Sequence, residues 1–114
     1  MKQLQYSPDA IEKLQRIRQD ITARYGAQKA KAVIREMTKS FRDLQQFENK
    51  GPSVENLIGI PCDYRMLYVQ HNYAFYRVEN DVIRITDIFN EKEDFMWKLF
   101  GVKTNEIEGS VKKR

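Results

Sequence analysis

A chain of 114 residues with 41% hydrophobic, 11% aromatic and 32% charged residues has the size and composition of one globular domain, which excludes a second domain, a fibrous repeat and wholesale disorder. One cysteine and one histidine exclude an internal disulfide and leave no cluster with metal-ligand spacing, so no cofactor and no metal are expected. Half of the net charge of +4 sits in residues 103–114, which makes it weak evidence for a nucleic-acid partner.

No apolar run approaches the roughly 20 residues of a membrane span, and the opening MKQLQYSPDA lacks the apolar centre of a signal peptide. A cytoplasmic protein with no membrane partner is therefore expected. Lys2 to Tyr6 alternates and predicts a short strand at a sheet edge. Ser7-Pro8-Asp9 then starts a helix: Ser7 caps, Pro8 takes the first helical position and Asp9 suits the dipole. Ile11, Leu14, Ile17, Ile21 and Tyr25 recur at spacings of three and four, and Gly26 stops the helix.

Ala27 to Glu48 holds no Gly or Pro and repeats Ala30, Val33, Met37, Phe41, Leu44 and Phe47 at helical spacing, until Asn49-Lys50-Gly51-Pro52 ends it. Two long helices with almost no linker predict an antiparallel hairpin whose joint apolar stripe covers a sheet. The basic residues Lys29, Lys31, Arg35, Lys39 and Arg42, interleaved with Glu36, Asp43 and Glu48, read as a solvated face. Ser53 to Asp63 reads as a connection with a short extended piece at Leu57 to Ile60. Cys62 has no acid-base partner in reach and is read as a structural thiol.

Tyr64 to Phe89, YRMLYVQHNYAFYRVENDVIRITDIF, predicts three antiparallel strands joined by two-residue turns at His71-Asn72 and Asn80-Asp81. That register puts Arg65, Leu67, Val69, Ala74, Tyr76, Val78, Ile83, Ile85, Asp87 and Phe89 on a core face. The other face mixes rings and charge, among them Tyr68, Phe75, Arg77, Arg84 and Ile88, and reads as a binding surface. Arg77 falls opposite Arg84, with Met66 on its other side. Opposed like charges imply either a site for a phosphate or a partner's acidic side chain, or neutralisation by Glu79, Glu91 or Glu93. Asn90 is placed to cap a short helix, Glu91 to Phe100, and residues 103–114 form a polar tail.

The order strand, helix hairpin, three-strand meander and short terminal helix, with YRMLY, FYRV and NDVIRI, resembles the RelE/ParE superfamily of toxins from type II toxin-antitoxin modules. The resemblance implies an α+β domain over residues 1–102, with an N-terminal strand and α-helical hairpin packed on an antiparallel β-meander, and a cognate antitoxin as partner. It implies two very different targets. RelE-like members cut mRNA in the ribosomal A site with lysines, arginines and a terminal tyrosine; ParE-like members bind and poison DNA gyrase without catalysis.

Arg65 in YRMLY matches the RelE-like arginine and is the one candidate catalytic residue on that reading; a structural salt bridge to Asp63, Glu55 or a C-terminal carboxylate is its alternative. The paired lysines of that subgroup are not matched in Val54 to Asp63, and Trp97, near the place of the terminal tyrosine, cannot act as a phenolic acid or base. The expectation is thus a toxin of a plasmid-stabilisation-like module that inhibits by binding, with Arg77, Arg84, Tyr68, Phe75 and Trp97 as target- or anion-binding residues. The alternatives are the ribonuclease and a degenerate binding module. A homodimer is compatible with this reading.

Overall fold

A computed structural model describes residues 1–93 and 101. A four-stranded mixed sheet, in spatial order β1-β4-β3-β2, is backed on one face by a helix hairpin. Strand β1 (Gln3–Tyr6) lies at the edge, as its alternating polar residues predict, and pairs parallel to β4, with Gln3 opposite Val82 and Tyr6 opposite Ile85. Helix α1 (Pro8–Tyr25) starts as the sequence dictates: the Ser7 hydroxyl accepts from the Ala10 N–H at 3.0 Å. The same hydroxyl donates to the Thr86 carbonyl at 2.6 Å, so one serine both caps the helix and fastens the turn to the sheet.

Gly26, at a φ of 95° that costs glycine nothing, is the whole linker to α2 (Ala27–Asp43). The buried stripe of α1 runs through Ala10 and the partly buried Leu14, Ile17 and Ile21, while Ile11 and Tyr25, expected on it, are exposed. In α2 the stripe Ala30, Val33, Met37, Phe41 and Leu44 is buried as predicted. The helix ends at Asp43 rather than Glu48, because Leu44, Gln45 and Gln46 close tight three-residue turns onto Phe41, Arg42 and Asp43. That tightening keeps Leu44 in the core and throws Phe47 out to 62% exposure.

The connection holds a short helix, α3 (Val54–Ile58), where an extended piece was expected. Ser53 caps it through the Asn56 N–H at 3.3 Å and Gly59 ends it at a left-handed φ of 76°. Strands β2 (Arg65–Val69), β3 (Asn72–Val78) and β4 (Val82–Asn90) form the meander. The first turn is Gln70-His71, with φ values of 48° and 64°, not His71-Asn72. Asn72 is drawn into β3, 5% exposed, and its side-chain amide donates to the Gln70 carbonyl at 2.7 Å. The pairing slides by two residues in sum, which preserves the faces but sets Arg65 opposite Tyr76.

The second turn holds its expected register, with Arg77 opposite Arg84, as far as Tyr76 opposite Ile85. A bulge then shifts the ladder, so that Asp87 lies opposite Phe75, Ile88 opposite Ala74 and Phe89 opposite Tyr73. The bulge corrects the predicted faces: Ile88 joins the helix-backed core, while Asp87 and Phe89 turn to the other side. Thr86 occupies the irregularity and donates its hydroxyl to the Phe75 carbonyl at 3.0 Å. Lys13 locks α1 to the displaced strand, 2.9 Å from Asp87 Oδ1 and 4.1 Å over the Phe89 ring.

Asn90 does close a turn, accepting from the Lys92 N–H at 3.0 Å while its own N–H donates to the Glu93 carboxylate at 3.1 Å. The rest of the helix expected to Phe100, the polar tail 103–114 and Trp97 lie outside the described residues. Among the described residues no helix is long and apolar enough to cross a membrane, and no group of His, Cys, Asp or Glu is placed to hold a metal ion.

Candidate functional site

Two surfaces carry the chemistry, one on each side of the sheet. On the side away from the helices, β3 and β4 bring Arg77 and Arg84 together as paired neighbours, 39% and 37% exposed along their side chains. Opposed like charges cost a few tenths to about 1 kcal/mol unless anions intervene, and here they do. Arg84 donates through Nε and Nη2 to the two oxygens of Glu79 at 3.3 and 3.1 Å, a fork-on-carboxylate contact. Glu79 was one of the expected neutralisers; Glu91 and Glu93 are engaged elsewhere.

Arg77 is held differently. Its Nε lies 3.1 Å from Asp63, but off the hydrogen-bonding axis, so this buried nitrogen makes an ion pair without a hydrogen bond. The guanidinium stacks over the Tyr64 ring at 4.5 Å, so Tyr64 rather than Met66 flanks it. Asp63 is 78% exposed, which leaves the pair screened by solvent and worth little. Asp63, one of the carboxylates expected within reach of Arg65, pairs with Arg77 instead, a consequence of the two-residue slide of the first hairpin.

Arg65 stands on the other face. Its Nη1 donates to the Gly51 carbonyl, not to a carboxylate. Beside it the fully buried Tyr76 hydroxyl accepts from the Gly51 N–H at 2.9 Å and donates to the Glu48 carbonyl at 2.8 Å, and burial pushes this phenol up from its ordinary pKa. Arg65 and Tyr76 together fasten the loop between α2 and α3, and Gly51 is required there: a Cβ would meet the Met66 carbonyl at 2.5 Å.

Phe75, expected as a contact residue, is fully buried. It forms a second small core with Val54 and Phe89, against which Ile58, Cys62, Tyr64 and Met66 pack. The short helix α3 that the sequence reading missed is what closes this half of the face; the capping pair Ser53 and Asn56 was its signal. Tyr68 is exposed at 52% and stands at the far end of β2, opposite Tyr73. Arg77 lies four residues further along β3, roughly 13 Å at strand rise, so Tyr68 and the arginine pair are separate features.

Tyr68 belongs to a cluster at the turn. Its hydroxyl donates to Glu91 Oε1 at 2.6 Å, and His71 Nδ1 lies 3.1 Å from Glu91 Oε2. The bond from Tyr68 holds the Glu91 carboxyl below its ordinary pKa, and the same bond raises the Tyr68 phenol. His71 and Glu91 of this cluster line one wall of a groove of some 820 Å³ whose other wall is α1 and the start of α2. Ile17, Ile21, Val33 and Ile88 line it apolarly, and both walls carry mixed charge, with Arg16, Asp20, Arg24 and Lys29 on the helix side and Glu91, Lys92 and Glu93 on the strand side. The groove suits an amphipathic segment laid along the hairpin.

The family model for the ParE toxin of the type II toxin-antitoxin system parDE matches residues 4–95 of the chain. Among solved structures, one from a chromosomal ParDE TA system of P. aeruginosa superposes with a TM-score of 0.67, at 24% identity, covering 79% of this chain and 96% of that one. At that identity the likeness speaks for the fold: an α+β domain with a helix hairpin on a four-stranded mixed sheet. No curated protein matches the chain.

Proposed function

Since the chain belongs to the ParE toxin family of type II toxin-antitoxin systems, we propose that it is the toxin half of such a pair, neutralised by a cognate antitoxin, and that it stops growth by binding a protein target. DNA gyrase is the target that membership favours. The observation that carries binding over catalysis is the commitment of Arg65. A ribonuclease working through that arginine needs its guanidinium free for the scissile phosphate, where it stabilises developing charge. Here Nη1 is spent on the carbonyl of the buried Gly51, which ties the side chain to the loop between α2 and α3.

The antitoxin fits the groove between α1 and the β2–β3 turn, because an amphipathic segment there covers Ile17, Ile21 and Val33 and meets charges of both signs on the walls. The exposed Tyr25 at the end of α1 extends the same surface.

Two assays on the purified chain test the reading. Supercoiling by DNA gyrase is expected to be inhibited, with translation of a reporter mRNA in a cell-free extract left intact, and co-expression with the neighbouring reading frame is expected to relieve toxicity. Cleavage of ribosome-bound mRNA that disappears in Arg65→Ala would overturn it in favour of the RelE-like alternative.

A further inference from the structure

The two arginines of the open sheet face differ in how well their donors are used. Arg84 has a matched partner, a carboxylate gripped through two nitrogens. Arg77 has five potential N–H donors, a buried Nε without a hydrogen bond, and one off-axis ion pair to an exposed loop carboxylate. Buried nitrogens in folded proteins are nearly always hydrogen-bonded, so an unsatisfied one needs a reason. The Tyr64 ring, 4.5 Å from the Arg77 Cζ, gives the guanidinium a surface to rest on, which lowers the entropic cost of receiving a ligand.

The anions already at this place are carboxylates. Glu79 shows the geometry the row prefers, and Asp63 occupies the corresponding place beside Arg77 in a poorer one. A carboxylate arriving side-on would take the Nε and Nη donors that Asp63 reaches obliquely, and Asp63 has solvent to swing into. An incoming carboxylate replaces Asp63 one for one and leaves the row's charge balance unchanged, whereas a phosphate backbone brings a run of negative charge that two already paired arginines do not balance. The site is shaped for one or two acidic side chains at a protein surface.

We propose that the Arg84–Arg77–Tyr64 row is the target-recognition surface, that it takes an acidic segment of the target protein, and that Asp63 is a built-in competitor which the segment displaces from Arg77. This rests on the reading of the chain as a toxin that acts by binding. It sets the target on the face opposite the helix hairpin, where the antitoxin is placed, and so separates recognition from neutralisation.

The test is a titration of the full chain, followed by NMR at the arginine Nε–H resonances, with an octapeptide of alternating Asp and Glu at about 0.15 M salt. The Arg77 and Arg84 signals are expected to shift saturably, and the peptide affinity is expected to fall at least about tenfold in Arg77→Ala and in Arg77→Lys, since lysine has charge but no fork. Asp63→Asn is expected to tighten binding severalfold. Unchanged melting of each variant secures the comparison.

The proposal is overturned if Arg77→Lys binds the peptide as well as the parent, if Asp63→Asn weakens binding, or if a single-stranded RNA octamer moves the same signals at lower concentration. Failure of the parent to inhibit gyrase, with the Arg77-dependent peptide response intact, removes gyrase as the target and leaves the acidic-segment surface standing.

Discussion

The same three strands of the meander build two faces that solve opposite problems. Against the helices, Leu67, Val69, Ala74, Tyr76, Ile83, Ile85 and Ile88 meet Met37, Phe41 and Leu44 in a continuous core. On the reverse, half the strand length is roofed by α3 over Phe75 and Phe89, and the other half ends in paired arginines and their carboxylates. Alternation alone makes these faces look like core and binding surface. The difference teaches that a single turn of helix, five residues long, decides how much of a sheet face is free.

The comparison breaks most visibly through its aromatic residues. Phe41→Ala and Phe75→Ala are each expected to cost about 3–5 kcal/mol in urea unfolding, the range for a fully buried ring. If Phe75→Ala costs less than about 1 kcal/mol while altering target binding, the second core is not a core and the reverse face is open along its whole length.

A smaller effect probes the junction where the two faces are tied together. Gly51→Ala is expected to destabilise by about 1–3 kcal/mol, because the new methyl meets the Met66 carbonyl and the Tyr76 ring at 2.5 and 2.9 Å and the loop must retreat. Thermal melting of this variant reads the strain directly, and a parent-like midpoint would show that the Arg65–Tyr76 fastening gives way cheaply.

The smallest effect is one of pH, at the edge of the groove. Glu91 has a lowered pKa, so its bond with Tyr68 contributes stability above the ordinary carboxyl value of 4.5 and loses it as pH falls through the depressed value. Tyr68 has a raised pKa, so the same bond is fully present below 10.0 and fades as pH rises through the higher value. Tyr68→Phe is expected to melt below the parent between these limits and to converge with it at both extremes. A difference that persists unchanged into acid would show that the contribution of the Tyr68 hydroxyl does not depend on the charge of Glu91.

What the sequence reveals and what it hides divide along the range of the forces involved. The Ser7-Pro8-Asp9 start, the Gly26 stop and the Arg77–Arg84 pairing are legible because capping, φ preference and two-residue turns act within a few residues. Asn72 misleads: its type suits a turn, but burial in β3 and a bond to the Gln70 carbonyl win, and the turn falls on Gln70-His71. The bulge was signalled by Asp87, a charge sitting on what would otherwise be a core face, three residues before an asparagine cap. Its cause, the fit of Thr86 to the Phe75 carbonyl and of Lys13 to Asp87, is a long-range matter that periodicity does not carry. The partner of Arg77 is hidden for the same reason, since it depends on the register of the first hairpin.

The parallel pairing of Gln3 with Val82 has a consequence for when such a protein comes into being. During synthesis the opening segment emerges first but has nothing to lie beside until nearly eighty further residues have followed, so the sheet closes only once β4 has emerged. Shortened products that stop before β4 lack the strand that joins β1 to β3. The four-stranded sheet therefore comes into being late and all at once, with its last strand.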